Sequence, residues 1–160
     1  MPAFSKFEEI KAWQQAREVV RAVYRVTADG AAQRDFAWRD QLRRAAMSIM
    51  ANIAEGFGRN SDKDFAHFLD IARSSCLETQ SFLYIGLDQA YIDKSAFTQM
   101  YELIEETISM TASLTSYLRK SMCEASSGAS APRSSDSRRQ TPDSRPAGQS
   151  ASTGSNRSTR

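Results

Sequence analysis

The stretch QLRRAAMSIMANIAEGFGRNSDKDF, residues 41–65, decides the fold of this chain. In its first half apolar residues recur every three or four positions, which is the period of an α-helix with one buried face. Two glycines follow, Gly56 and Gly58, and a second helical pattern begins at Ser61. The stretch therefore predicts two consecutive helices joined by a short corner. The open question is whether that corner binds a ligand or only turns the chain.

The residues of the corner predict how one helix ends and the next begins. We expect Gly56 to lie at the C-cap of the first helix with positive φ, a conformation that glycine adopts without strain. Gly58 is expected to allow a second sharp bend two residues later. Ser61 and Asp64 match an S-x-x-D capping box, in which each side chain accepts a hydrogen bond from the other residue's amide. The corner is thus predicted to be a structural device first and a contact surface second.

The helical period continues on both sides of this stretch. Four amphipathic helices are predicted, over residues 7–27, 36–55, 61 to about 92, and about 93 to 122, with Asp29-Gly30 as the break after the first. No segment shows the alternation of a β-strand, and short connections between helices of matched length favour antiparallel neighbours. The predicted fold is all-α: an antiparallel up-down-up-down four-helix bundle with a disordered C-terminal tail.

The third and fourth helices carry more apolar surface than one bundle core requires. The buried stripe of a bundle helix spans roughly 100° of its circumference, whereas each of these helices shows two apolar stripes. A surplus of this kind predicts a second buried interface, most simply one between copies of the same chain.

The C-terminal part of the 160-residue chain differs in composition from the rest. From Glu124 onward the sequence has no aromatic residue, Leu, Ile or Val, and it is rich in Ser, Arg, Gly and Pro. Such a segment buries too little apolar surface to offset the entropy lost on ordering. We therefore predict a folded domain over residues 4–122 and a disordered Ser/Arg-rich tail over residues 123–160. The net charge of +2 comes from the tail, because residues 1–120 hold 15 basic and 16 acidic side chains.

The sequence also predicts a location. Its N-terminus lacks the apolar run of a signal peptide, and no segment approaches the roughly 20 apolar residues that span a bilayer. The two cysteines, Cys76 and Cys123, lie far apart, and Cys76 falls on an apolar helical face where a buried thiol is expected. We expect a cytoplasmic protein with reduced thiols and no membrane partner.

Residues 41–78, QLRRAAMSIMANIAEGFGRNSDKDFAHFLDIARSSCLE, closely resemble the hallmark of the small bacterial four-helix-bundle proteins named after intervening sequences in 23S ribosomal RNA genes. Residues 7–27 are similar to the first helix of that family, and residues 83–92 to the end of its third. The resemblance covers about residues 4–120. It implies a bundle that assembles as a ring, typically a homopentamer. It also implies kinship with accessory proteins of diversity-generating retroelements, which bind a reverse transcriptase and its RNA.

Three basic residues are the candidate nucleic-acid contacts: Arg43, Arg59 and Lys63. Arg43 has no acidic residue four positions away, whereas its neighbours Arg39 and Arg44 each follow an acid at the spacing of a helical ion pair. Repeated around a ring, the three would contact several phosphates along an RNA strand. The alternative is that these side chains are solvated or form salt bridges between subunits.

No catalytic residue, metal ligand or cofactor site is predicted. The corner lacks the G-x-x-x-x-G-K-[ST] pattern, follows no strand, and has acids where a phosphate would bind. Glu55 and Glu78 would supply two carboxylates from neighbouring helices, but no nucleophile–base pair accompanies them. The polar residues beside Glu55 are better interpreted as a structural hydrogen-bond network. The only histidine, His67, has no E-x-x-H partner, which argues against a metal bundle.

Two functions therefore remain open. The first is a non-enzymatic oligomeric scaffold or binding module for RNA, or for an RNA-binding partner such as a reverse transcriptase; the apolar surplus, the basic tail and the resemblance support it. The second is a structural protein–protein interaction module with no nucleic-acid role, which the near-neutral body favours. A hydrolase or metalloprotein built on Glu55 and Glu78 is a distant third.

Overall fold

The computed structural model describes residues 4–128, and the side chains of those up to Glu124. All regular elements within this range are helical. A 3₁₀ turn at Phe7–Glu9 precedes α1 (Lys11–Val26), and the short helix α2 (Gly30–Arg34) leads into α3 (Phe36–Phe57). The remaining elements are α4 (Asp62–Asp88) and α5 (Lys94–Gly128).

The four long helices, α1, α3, α4 and α5, pack as a bundle. α1 packs on α3 and α5, and α4 packs on the same two helices. Cross-helix hydrogen bonds give the directions: Ser48 of α3 meets Ser75 of α4, whereas Trp38 near the start of α3 meets Phe82 near the end of α4. Contacts between α4 and α5, between α1 and α3, and between α1 and α5 likewise pair the start of one helix with the end of the other, so these pairs are antiparallel too. These contacts confirm the predicted antiparallel up-down-up-down fold.

The core contains the apolar stripes that the helical period predicted. The inner stripe of α3 is buried along its whole length, and large side chains from the other three long helices meet it. Those with almost no exposure include Val19, Val23, Leu42, Ile49, Ile53, Phe65, Leu69, Leu83, Ile104 and Leu118. Each stabilises the fold by roughly 1.5–3 kcal/mol relative to an exposed side chain. None of the described helices has the length and apolarity needed to cross a membrane.

The ends of the elements differ from prediction in three places. The chain turns at Phe7–Glu9 before α1 begins, so the first helix is shorter than predicted. The segment predicted only as a turn contains α2, which starts at Gly30 with a φ of 64°. α5 extends to Gly128, beyond the predicted domain end at residue 122. Most of the tail predicted over residues 123–160 lies outside the described residues.

Gly56 and Gly58 do not have the predicted conformational roles. Gly56 lies inside α3 with an ordinary helical backbone, so its prediction as a positive-φ cap is wrong. The C-cap is Gly58, whose φ of −72° and ψ of −3° are open to other residues as well. Gly56 is instead required by close packing: a Cβ there would lie 2.7 Å from the Cβ of Phe68 and 2.8 Å from the Phe65 ring. At the corner, the backbone of α3 at Gly56 packs directly against Phe65 and Phe68 of α4, which leaves no space for a side chain.

Candidate functional site

The corner between α3 and α4 brings Ser61 and Asp64 together, as predicted. Ser61 is the N-cap of α4, and its hydroxyl oxygen accepts a hydrogen bond from the Asp64 amide at 3.0 Å. The Asp64 carboxylate accepts from the same hydroxyl at 2.7 Å rather than from the Ser61 amide. Asp62 adds a second carboxylate to the first turn. A phosphate approaching this helix end would meet two negative charges, so the corner is unsuited to nucleotide binding.

Replacing Ser61 with alanine is expected to lower the free energy of unfolding by about 1 kcal/mol, because the Asp64 amide loses its acceptor. Urea unfolding followed by circular dichroism measures the change. Asn60→Ala, at the exposed neighbouring position, is the matched control. Equal stability losses in the two variants would show that the cap does not stabilise α4.

Arg43 lies towards the other end of α3 and is held by the C-terminus of α1. Its Nε donates to the Thr27 hydroxyl at 2.8 Å and its Nη2 to the Thr27 carbonyl at 2.9 Å. The guanidinium also lies over the ring of Tyr24, 4.5 Å from its centroid. A cation at a helix C-terminus satisfies an unpaired carbonyl and opposes the negative end of the helix dipole. Arg43 therefore joins α3 to α1, with a partner sixteen positions away in sequence.

We expect Arg43→Ala to lower the free energy of unfolding by about 2 kcal/mol, because two charge-assisted hydrogen bonds are lost. Arg43→Lys should recover only part of this loss, since an ammonium group does not reproduce the two-point contact. Arg34→Ala, at an exposed position of α2, is the matched control and should change stability by less than about 0.5 kcal/mol. If the two alanine variants are equally stable, Arg43 is not a structural residue.

Arg59 and Lys63 both lie at the corner, where Arg59 is already engaged. Its guanidinium contacts the Glu55 carboxylate and lies over the ring of Phe68, 4.7 Å from the centroid. Lys63 is exposed on the first turn of α4. Because α3 is continuous from residue 43 to residue 57, Arg43 lies about 20 Å from the corner. The structure does not gather the three candidate nucleic-acid contacts into one patch.

Asp35 does not form the ion pair that its spacing to Arg39 suggested. Arg39 pairs with Asp40 at 2.8 Å, while Asp35 caps α3 by accepting from the Trp38 amide and from the Tyr91 hydroxyl, both at 3.0 Å. The Trp38 amide, and then the Tyr91 hydroxyl, hold the pKa of Asp35 below its usual value. Asp35 is thus a capping residue that also ties the start of α3 to the α4–α5 connection.

The polar stripe on α3 is a structural network. The hydroxyls of Ser48 and Ser75 lie 2.9 Å apart, and Asn52 donates to the carbonyl and the hydroxyl of Ser48 at 2.7 and 3.0 Å. Ser48 and Ser75 join α3 to α4, while the Asn52 bonds lie within α3, so Ser48 and Asn52 form the structural hydrogen-bond network that the sequence predicted. Ser48 lies opposite Ser75, and α3 and α4 are antiparallel, so Glu55 lies opposite residue 68 of α4. Glu78 is ten residues further along α4, which is about 15 Å along the helix axis. The structure does not bring Glu55 and Glu78 together.

The thiol of Cys76 is buried, as predicted. Burial, with a smaller effect of the Glu105 charge, raises its pKa to about 12. A thiol that stays protonated at neutral pH is neither a good nucleophile nor a ready metal ligand. Among the described residues no group of three His, Cys, Asp or Glu is placed to hold a metal ion.

An apolar groove with a basic border runs between α1 and α3. Sequence reasoning missed this surface, because Tyr24 belongs to the apolar period of α1 yet remains 42% exposed. The apolar groove has a volume of about 320 Å³, and a second groove, lined by Arg43 and Arg44, adjoins it. Met47 lines both grooves and is 43% exposed. We call this surface the α1/α3 face and define it by Trp13, Arg17, Tyr24, Arg43, Arg44, Met47 and Met50.

An aromatic cluster lies on the outer side of α4 and α5. The Phe97 ring packs against Tyr84 and Tyr101 with centroid distances of 4.9 and 5.6 Å. Leu77, two helical turns before Tyr84, is 56% exposed, and Tyr84 is 51% exposed. Burial, then Tyr84 and Glu105, raise the pKa of Tyr101. We call this surface the α4/α5 face and define it by Leu77, Tyr84, Asp88, Phe97, Tyr101 and Glu105.

The two faces lie on opposite sides of the bundle. α1 and α3 are neighbours, as are α4 and α5, so the core lies between the α1/α3 face and the α4/α5 face. The α4/α5 face lies on the two helices for which the sequence predicted surplus apolar surface. Self-association through these surfaces stays a prediction.

Long antiparallel helices with short connections place the chain in the class of four-helix-bundle proteins. The sequence profile of the 23S rRNA-intervening sequence proteins matches residues 8–113, and the chain belongs to this family. This match confirms the resemblance carried by residues 41–78.

A solved structure supports the same assignment. The chain is similar to a protein of unknown function from the S23 ribosomal protein family of Bacteroides thetaiotaomicron VPI-5482, known from a crystal structure. The identity is 25% and the TM-score 0.60, over 66% of this chain and 95% of that chain. No curated protein matches the sequence.

Proposed function

We propose that this protein is a non-enzymatic, self-associating four-helix bundle that serves as a cytoplasmic scaffold or binding module. The observation that carries the proposal is the pair of large exposed side chains, Leu77 and Tyr84, on an outer face of a bundle whose core is already filled. Apolar side chains grouped on one surface are typical of interaction sites. A ring is the assembly that the family resemblance implies, with five copies as the expected number.

Placing two charges on the α4/α5 face tests this proposal. The double variant Leu77→Asp/Tyr84→Asp should shift the protein to the mass of a single chain in size-exclusion chromatography with light scattering. Phe36→Asp is the matched control, because Phe36 is 65% exposed and lies outside both faces. An unchanged mass in the double variant, or an equal shift in the control, would contradict self-association through this face.

We further propose that the assembly binds RNA or an RNA-binding partner such as a reverse transcriptase. Support comes from the family to which the chain belongs and from the basic side chains on the outside of α3 and its corner. Arg59 and Lys63 are near each other in the corner, and Arg43 keeps Nη1 for a further phosphate. One subunit offers few such charges on a near-neutral body, but a ring repeats them, and linked contacts raise avidity. Their spread suits several phosphates along a strand.

RNA binding through these residues predicts a steep dependence of affinity on salt concentration. The double variant Arg59→Ala/Lys63→Ala should flatten that dependence, and adding Arg43→Ala should flatten it further. Chains ending at residue 128 are the necessary control, because the six arginines beyond that point would produce a salt dependence of their own. If the shortened chain binds no RNA at low salt, the RNA proposal is wrong. The second candidate, an interaction module without a nucleic-acid role, would then be favoured, and the near-neutral body of the protein agrees with it.

A further inference from the structure

The two outer faces carry opposite charge. Arg17, Arg43 and Arg44 border the α1/α3 face, and Asp40, which lines the same groove as Arg43 and Arg44, pairs with Arg39. Charge on the other side of the bundle is reversed: the charged residues among those that define the α4/α5 face are Asp88 and Glu105, and both are acidic. Each face thus combines exposed apolar side chains with one sign of charge.

We propose that the α1/α3 face of one copy of this chain binds the α4/α5 face of the next copy. The inference rests on the proposed self-association and names the two surfaces that meet. Because the faces lie on opposite sides of one bundle, each copy that uses both has two neighbours. Such a head-to-tail contact generates a closed ring when the rotation between copies closes, and an open filament when it does not.

The side chains of the two faces are chemically complementary. Arg17, Arg44 and Asp88 form no ion pair among the described residues, so their charges remain available to a partner. A guanidinium that meets the Tyr84 and Tyr101 rings gains a cation–π interaction. The chain already uses this contact internally, where arginines lie over the rings of Tyr24, Phe36 and Phe68 at 4.5 to 4.7 Å.

Binding of a second copy accounts for the exposed side chains of both faces, whereas binding of RNA accounts for those of the α1/α3 face alone. An RNA strand on the α1/α3 face would account for its arginines, but it would leave Leu77 and Tyr84 uncovered. The same strand would be repelled by Asp88 and Glu105 on the α4/α5 face. Complementary charge between two surfaces also steers association and sets the register of the contact. The α4/α5 face of another copy supplies both the apolar area and the acidic groups.

Charge reversal on the full-length chain tests the pairing of faces. Arg17→Glu/Arg44→Glu makes the α1/α3 face acidic, and Asp88→Lys/Glu105→Lys makes the α4/α5 face basic. Each double variant alone should weaken self-association at least about tenfold, because like charges then meet across the contact. Combining all four substitutions in one chain should restore assembly, because the acidic α1/α3 face of one copy then meets the basic α4/α5 face of the next. Sedimentation velocity measures the populations, and thermal unfolding checks that each variant is folded.

The control variant Arg34→Glu/Glu78→Lys reverses two exposed charges outside both faces. Arg34 ends the short helix α2, and Glu78 is an exposed residue of α4 that is not among those that define the α4/α5 face. This control should assemble as the unchanged protein does. If the chain assembles but the double variants do not weaken assembly, or the combination fails to restore it, the pairing is wrong and self-association stands. If the unchanged chain is a monomer, both proposals fail.

Discussion

Replacing Gly56 with valine is expected to lower the free energy of unfolding by about 3 kcal/mol, near the upper end for an overpacked site. The new Cβ would lie 2.7 Å from the Cβ of Phe68 and 2.8 Å from the Phe65 ring. Two β-carbons cannot separate by a change of rotamer, so α3 and α4 would have to move apart. Phe65 is 1% exposed and has little space into which its ring can shift. Urea unfolding gives the change directly.

Gly58 provides the matched control for that experiment. An added Cβ there would come no closer than 3.4 Å, to the Glu55 carbonyl oxygen, and its φ of −72° suits alanine. We expect Gly58→Ala to leave stability unchanged or to raise it by up to about 1 kcal/mol, through a less flexible unfolded chain. A neutral Gly56→Val variant, or a Gly58→Ala variant that is equally destabilised, would contradict the packing of the corner.

Gly86→Ala is expected to cost about 2–3 kcal/mol, because the added methyl group would lie 2.5 Å from Cζ2 of Trp38. The indole cannot easily withdraw. Its Nε1 donates to the Phe82 carbonyl at 2.8 Å, and its ring packs against Tyr91 with a centroid distance of 5.0 Å. The substitution therefore strains the contact between the start of α3 and the end of α4. Thermal and urea unfolding both report the loss.

A double-variant cycle separates this contact from a general loss of helix packing. Trp38→Phe alone is destabilising, since it removes the hydrogen bond to Phe82 and leaves a cavity. In the pair Gly86→Ala/Trp38→Phe, the smaller ring makes room for the new methyl group. The combined loss should be smaller than the sum of the single losses by about 1 kcal/mol or more. Additive losses would show that Gly86 and Trp38 do not constrain each other.

The helices could be predicted from the sequence because the evidence for them is local. The stripe of α3 and the cap at Ser61 each depend on residues within a few positions of one another, and both are found in the structure. The role of Gly56 was missed because its neighbours, Phe65 and Phe68, belong to the next helix. From the sequence alone, a glycine at the end of a helical pattern is typical of a cap, and only the approach of α4 shows otherwise.

The candidate surfaces were only partly predictable for the same reason. Surplus apolar residues on two helices predicted an uncovered surface, and Leu77 and Tyr84 are exposed there. The partner of Arg43 was not predictable, because Thr27 caps α1 whereas Arg43 lies in α3, and no periodicity links the two. The α1/α3 face was missed because an apolar period indicates which side chains are able to be buried. It does not indicate which of them the neighbouring helix leaves exposed.

The most direct test of the account is the mass of the full chain in solution, measured by light scattering over a range of micromolar protein concentrations at physiological salt. Self-association through two opposite faces predicts a defined multiple of the 17.8 kDa chain that stays constant across the range, as a closed assembly requires. A mass of 17.8 kDa at every concentration would contradict the account, because both apolar faces would then remain exposed to water.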